Sequence, residues 1–294
     1  MKAPEDQAAG GGARIRHAVS RSILSPVSGF LAQAGFSHSL TPARNCTYGC
    51  LYCYVPTMRI QGGLKPEDWR HWGAHTTFKS NAALLLARAL RPGQRIYCSP
   101  LTDPYQPAEA EQRAMPAILA ALLDSPPQVF TLQTRSPLVL RDLELLQRLN
   151  ERTALRVSFS ITTDRDDVRR RYEPHCEPIP ERLDAIRALR RTGLRVHATL
   201  APLLPCDPEK LASLALEASG EDLVGDPLHV RAAKPAGATT REAALRLAAR
   251  FGEQDWFDPP FQQRAIERIC AAAERAGRRF VVGPSGFGLL ATPD

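Results

Sequence analysis

The chain has 294 residues and a mass of 32.3 kDa, enough for one large core, and no apolar run approaches the eighteen or so residues that a membrane helix needs. Net charge is +7 with a pI near 9.2, and 33 of the 38 basic residues are arginine, a balance that suits a phosphate-rich partner without requiring one. Seven cysteines, with no basic start, apolar core and small-residue cleavage site at the N-terminus, argue against a secreted disulfide scaffold and predict a reducing, cytoplasmic setting without a membrane.

Residues 1–14 are mostly small and polar and predict a disordered tail. Residues 15–35 mix basic and apolar side chains and read as an N-terminal extension over one end of the core. From Phe36 strands and helices alternate. Strands are predicted over 36–42, 95–99, 129–134, 155–162, 195–200 and 228–230, and helices over 82–90, 113–123, 140–150, 180–191 and 211–218. Pro180 and Gly193 are the expected start and stop signals of one of these helices. Six strands alternating with helices predict an α/β fold, a partial (βα)6 barrel of TIM type around a parallel sheet, occupying 36–235. Residues 236–294 complete the chain as a helical extension. There Gly283, Gly286 and Gly288 follow a short strand over 279–282 and, with no helix start after them, make a weak phosphate signal.

Strand parity carries further information. Val157, Phe159 and Ile161 share one face of the fourth strand while Ser158, Ser160 and Thr162 share the other. In the third strand Phe130 and Leu132 oppose Thr131, Gln133 and Arg135. With the apolar faces against helices, the polar faces line the barrel interior, which predicts a polar filling where an ordinary barrel packs branched apolar side chains.

Polar residues also collect at the C-terminal ends of the strands, where barrel enzymes keep their active sites: Ser99, Thr102 and Asp103, then Arg135 and Ser136, then Thr163 and Asp164. The first strand runs into Asn45-Cys46-Thr47-Tyr48-Gly49-Cys50-Leu51-Tyr52-Cys53-Tyr54. Three thiols at Cys-x3-Cys-x2-Cys spacing can surround one iron-sulfur cube and leave an iron open for a chelating ligand, and Gly49 allows the sharp turn. The competing readings are a zinc site completed by His38, His71 or His75, a disulfide with a spare thiol, or buried packing. Zinc sites usually show two ligand pairs, and Cys50 and Cys53 make one. Trp69 and Trp72, in the segment that follows, read as packing over this loop. Cys176, Cys206 and Cys270 show no pair spacing and read as structural.

The loop, with aromatic Tyr52 before its third cysteine, resembles the signature of the radical S-adenosylmethionine (SAM) superfamily. Ser99-Pro100-Leu101-Thr102-Asp103-Pro104-Tyr105-Gln106-Pro107 resembles a motif of its spore photoproduct lyase-like branch, as do Arg171-Tyr172-Glu173-Pro174 and Ala201-Pro202-Leu203-Leu204-Pro205. The resemblance covers roughly residues 36–205. It implies a 4Fe-4S cluster held by Cys46, Cys50 and Cys53, SAM on the open iron, reductive cleavage to a 5'-deoxyadenosyl radical, and hydrogen abstraction from a substrate. It further implies adenine contact near Tyr52, with Ser99, Arg135 and Ser160 toward the methionine and ribose ends. Cys98 lies near the place where spore photoproduct lyases keep a hydrogen-donating cysteine. Many members carry Gly-Gly-Glu after the second strand, whereas here Ser99 to Asp103 stand in that place.

The partners implied are an electron donor such as flavodoxin or ferredoxin and, from the lyase-like motif and the charge, a nucleic acid gripped by Arg165, Arg169, Arg170, Arg171, Arg231 and Lys234. Asp164, Asp166 and Asp167 interleave with those arginines, so a solvated helix face is the competing reading. Two other functions remain open from sequence. One is a nucleic-acid-binding protein that holds a cluster or zinc without turnover; the other is an oxidoreductase that uses the cluster only for electron transfer.

Overall fold

The computed structural model describes residues 13–58, 71–230 and 239–293. In chain order its strands are β1 (Arg14–Ala18), β2 (Leu24–Pro26), β3 (His38–Leu40), β4 (Ala43–Arg44), β5 (His75–Lys79), β6 (Arg95–Cys98), β7 (Val129–Thr134), β8 (Ala154–Ser160), β9 (Arg195–Leu200), β10 (Leu223–Gly225) and β11 (Phe280–Val282). Eight of them form one sheet in the order β11-β10-β9-β8-β7-β6-β3-β2. All of its pairings are parallel except β2 with β3. A parallel sheet needs a crossover between successive strands, and helices Ala82–Ala89, Ala114–Asp124, Leu143–Asn150, Ile179–Arg191 and Pro208–Ser219 supply them.

The helix Ile179–Arg191 has Pro180 in its first turn, and Gly193 follows it with φ +84°, as the sequence predicts. The sixth predicted strand is corrected: residues 228–230 are not a strand, and β10 takes that place two residues after Glu221. Its brevity and its terminal Gly225 hide it from a pattern search. The glycine is required by packing, because a Cβ there would lie 2.4 Å from the Phe280 ring. That ring belongs to β11, so the C-terminal extension adds a seventh parallel strand to the sheet. The glycines that follow are not a loop but a short helix, Gly283–Gly288.

Parity behaves as expected. Leu155, Val157 and Phe159 of β8, Phe130 and Leu132 of β7, and Val196 and Ala198 of β9 lie in one core with helix residues such as Ile118, Leu122, Leu146 and Ile186. Thr131, Arg156, Ser158, Ser160, His197 and Thr199 point the other way and are buried as well. What fills the lower lumen is the chain's own C-terminus. Thr131 Oγ1 donates to Leu290 O at 2.7 Å and Arg156 Nη2 donates to Thr292 O at 3.3 Å. Phe287, Leu290 and Ala291 pack there with Tyr97 of β6 and Val224 of β10. These two strands are separated by three others, so one segment can touch both only because the sheet curls. β11 and β2 remain as open edges, giving a partial barrel.

A second sheet of order β1-β5-β4 precedes the barrel helices. Arg14 already pairs with β5, so ordered strand begins inside the stretch read as a tail; residues 1–12 of that stretch lie outside the described residues. Among the described residues no helix is long and apolar enough to cross a membrane.

Leu290 is fully buried in the lumen plug. Leu290→Ala should cost about 2–5 kcal/mol of unfolding free energy, read as a lower urea midpoint at unchanged slope. An unshifted midpoint would mean that the plug adds nothing to the fold.

Candidate active site

The three-cysteine loop follows β4 directly, at the C-terminal mouth of the sheet. Two residues take left-handed backbone, Asn45 (φ +62°) and Gly49 (φ +61°), which turns the chain sharply enough to bring the cysteines together. Gly49 N donates to Cys46 O at 3.3 Å and Cys53 N to Cys50 O at 3.2 Å. A second glycine backs the first, since a Cβ on Gly73 would stand 2.8 Å from Gly49 Cα. Trp72 packs on the loop as expected; Trp69 lies outside the described residues.

Cys46 and Cys50 are buried and Cys53 half-buried. Burial, with negative charge on Asp103 and Cys50 for Cys46 and on Cys50 for Cys53, pushes these two thiols up to about 12. Cys50 differs, its thiol being lowered by the neighbouring Cys176 and by Arg135, so Cys46 and Cys53 are the two that hold their protons until a cation displaces them.

The Thr-Asp-Pro-Tyr-Gln-Pro turn after β6 holds this loop. Thr102 Oγ1 donates to Asn45 O at 2.9 Å, and Gln106 Oε1 accepts from Thr47 N at 2.8 Å. Asp103 faces the other way: its Oδ2 accepts from Arg135 N at 2.9 Å and its Oδ1 from Thr134 Oγ1 at 2.8 Å. Tyr105 donates to Asp142 Oδ2 at 3.0 Å, and Glu109, fully buried, pairs with Arg141 at 2.8 Å. The motif is a clamp between the cysteine loop and the end of β7. A Pro-rich turn is all the sequence displays, because every partner is remote in the chain.

The opposite wall is built on Glu173, which is wholly buried. Its Oε1 accepts from Arg135 Nη1 at 2.6 Å, from Thr162 Oγ1 at 2.9 Å and from the Tyr52 hydroxyl, while Oε2 accepts from Arg182 Nη1 at 2.6 Å. Burial alone would push the carboxyl up, but the guanidinia of Arg182 and Arg135 outweigh it and hold Glu173 down at about 2. Arg135 Nη1 also reaches Cys50 Sγ at 3.6 Å. Arg135 is thus no solvated surface side chain: it joins the carboxylate, Tyr52 and a cysteine of the loop.

Cys176 also enters this wall. Its sulfur, Cys50 Sγ and a Glu173 oxygen lie within 4.8 Å of one another. That triangle does not suit a cation, since the Glu173 oxygens are taken by two guanidinia and two hydroxyls. Its sequence reading as a purely structural cysteine missed this neighbourhood, because the residues that meet there are more than a hundred positions apart. Glu173 and Arg182 were missed as a pair although they are nine positions apart, because the chain turns between them and only the fold aims both side chains into the wall; Glu173 stands inside a segment whose resemblance the sequence did display.

The remaining predicted residues divide by strand face. Ser99 is buried with its Oγ unpartnered among the described residues, as are Tyr97 Oη and His197 Nε2 on the same side of the sheet. Ser160 Oγ accepts from Gln133 Nε2 at 3.5 Å, and its carbonyl accepts from Arg182. Cys98, the last residue of β6, is fully buried, and its side chain lies with Ile96 in the core beneath the helices.

The arginines placed around the helix Asp166–Tyr172 are also corrected as a phosphate grip. Arg165 pairs with Asp167, Arg169 and Arg170 with Asp166, and Arg171 with Asp167 and Glu253. Arg169 is buried and donates to Cys176 O at 2.6 Å. Arg231 and Lys234 lie outside the described residues.

The sequence model of the Radical SAM superfamily matches residues 40–215, more than half of the chain. The chain belongs to that superfamily. It is a radical SAM enzyme, and the matched span holds the cysteine loop, the clamp and the Glu173 wall. A Mycobacterium tuberculosis protein, Rv2578c, is 28% identical over 250 residues, covering 84% of this chain and 68% of the relative. A Methanocaldococcus jannaschii protein, MJ0683, is 28% identical over 160 residues, covering 54% of this chain and 58% of the relative. Among solved structures a cysteine-substituted spore photoproduct lyase superposes with a TM-score of 0.61 at 17% identity, covering 91% of this chain and 81% of that one. Spore photoproduct lyase complexed with dinucleoside spore photoproduct gives 0.56 at 16% identity over the same shares. The radical SAM fold seen here is therefore shared with those enzymes.

Removing the Glu173 charge leaves two buried guanidinia without a counter-ion, so Glu173→Gln should cost roughly 3–5 kcal/mol at neutral pH. The carboxyl is at about 2 in the fold against an ordinary 4.5, so its contribution is complete above about pH 4.5 and fades as pH falls toward 2. Urea titrations at pH 7 and pH 3 check this. A gap between wild type and variant that is as wide at pH 3 as at pH 7 contradicts an ionised Glu173.

Proposed function

We propose that Cys46, Cys50 and Cys53 hold a 4Fe-4S cluster and that SAM lies between it and the polar lumen. The observation that carries this is a loop of three cysteines, Cys46 and Cys50 buried and Cys53 half-buried, at the end of the sheet where Ser99 Oγ is buried without a partner among the described residues: thiols that suit iron and a hydroxyl that suits a polar ligand. When bound, the cluster supplies the electron that cleaves SAM reductively and so starts hydrogen abstraction. This chain's own residues orient and shield. The clamp fixes the loop backbone, and Arg135, braced by Glu173, puts a positive charge 3.6 Å from Cys50 Sγ, where it stabilises thiolate. Ser99 and Ser160 offer hydroxyls to the ligand, the backbone about Tyr52 borders its adenine, and the C-terminal plug closes the lumen floor against water. The one-electron reductant is a flavodoxin- or ferredoxin-type protein.

The substrate in this reading is a nucleic acid. Support comes from a fold shared with an enzyme solved with a dinucleoside photoproduct and from the net charge of +7.

Protein purified without oxygen should carry about four irons and four sulfides per chain and, once reduced, convert SAM to 5'-deoxyadenosine. Cys50→Ala should bring that product to background. Tightly bound zinc without iron, or equal product from wild type and Cys50→Ala, would sink the proposal.

A further inference from the structure

The positive charge of this chain is not spread over it. Residues 7–102 contain eleven Arg and Lys against two acids, Glu67 and Asp68, whereas the rest of the chain contains 27 basic and 29 acidic side chains. The whole net charge of +7 therefore resides in the N-terminal third. Basic residues are no denser there than elsewhere, 11 in 96 positions against 27 in 198; the excess arises because acids are almost absent from this stretch. Nor do the arginines around the helix Asp166–Tyr172 contribute, since neighbouring carboxylates already answer them.

Much of the excess is displayed on one surface. None of the strands β1, β5 and β4 contains an acidic residue. Across the sheet Arg16 pairs with Thr77 and Thr77 with Arg44, so the two arginines flank β5 in a single row, and Arg14 and Lys79 share their face by parity. Arg14, Arg16 and Arg44 are exposed. The opposite face is the packed one, where Ile15, Phe78 and Ala43 meet Ala108. Burial and, after it, repulsion from Arg44 push the Lys79 ammonium down to about 8, and its Nζ donates to Ser22 O at 3.1 Å. Like charges side by side on a sheet destabilise it. Such a face suits an anionic partner laid across it.

The sheet is also joined to the cysteine loop. Thr76 Oγ1 donates to Arg44 O at 3.1 Å and Asn45 O at 3.2 Å, and Asn45 Nδ2 lies 2.6 Å from His75 Nε2. Cys46 is the next residue. The sheet is therefore continuous in the chain with the loop that carries the cysteines.

Resting on the nucleic-acid reading above, we infer that the outward face of β1, β5 and β4 is the surface that grips the nucleic-acid backbone, with Arg14, Arg16 and Arg44 meeting phosphates. Arginines two apart on a strand stand about 6.7 Å apart, and neighbouring strands about 4.8 Å. The grid therefore offers several phosphate contacts without any reading of base sequence, which leaves recognition of the reacting nucleotide to the barrel mouth.

The test uses cluster-loaded protein, a fluorescent DNA duplex and a single strand of the same sequence, with affinity measured over a range of salt. Each phosphate contact to a duplex contributes about 0.9 to the slope of log affinity against log salt. The variant R14Q/R16Q/R44Q should lower affinity at least about tenfold and flatten that slope by about two to three. Its iron content and its substrate-free 5'-deoxyadenosine formation should stay at wild-type levels, which separates loss of the grip from failure of the cluster or the fold. Arg170→Gln, which removes an exposed but already paired arginine, should leave the slope unchanged. Arg16→Gln alone should flatten the slope by about one and repeats the test with a single substitution if the triple variant folds poorly. Unchanged affinity and slope in Arg16→Gln and the triple variant, an equal loss in Arg170→Gln, or tighter capture of polyglutamate than of DNA would overturn the assignment.

Discussion

The arrangement depends on one buried carboxylate between two guanidinia. Glu173 receives Arg135 from the end of β7 and Arg182 from the helix Ile179–Arg191, and it also ties down Tyr52 of the cysteine loop and Thr162 beyond β8. Taking three charges out of water is costly, and a buried ion pair is weak evidence for stability as such. What it provides is geometry, since each partner is fixed by direction as well as charge. Four separate stretches of chain converge on a side chain with no exposed surface.

The second constraint is the clamp after β6. Thr102, Asp103, Tyr105, Gln106 and Glu109 each make a buried or half-buried hydrogen bond to another part of the chain. Between the clamp and the Glu173 wall the three thiols can be held without any regular secondary structure of their own. That matters for a site whose ligands are soft and whose occupant binds only when protons leave. The positive field of Arg135 works in the same direction, favouring the charged form of Cys50 over the neutral one.

The lower part of the lumen is sealed by Phe287, Leu290 and Ala291, which turn a polar interior into a closed floor. Ser99 Oγ, just past β6, is buried and unpartnered among the described residues, and an unpaired buried polar atom costs free energy unless something bonds to it.

Local chemistry made much of this legible in the sequence. Cysteine spacing marks the loop, Gly49 marks its turn, and alternation marks the strands and the polar side of β7 and β8. All of these are properties of a few adjacent residues, governed by backbone sterics and a period of two. The sequence alone could not pair Glu173 with Arg135 and Arg182, bring Cys176 beside Cys50, or send the C-terminus into the barrel. Nor could it decide that the arginines after β8 are answered by their own neighbours while those of β1 and β4 stand exposed on strands that contain no acid. The pairings of Glu173 with Arg135 and of Cys176 with Cys50 join residues 38 and 126 positions apart, and even for near neighbours only the tertiary fold decides which charges are buried together, which cancel, and which are left facing outward.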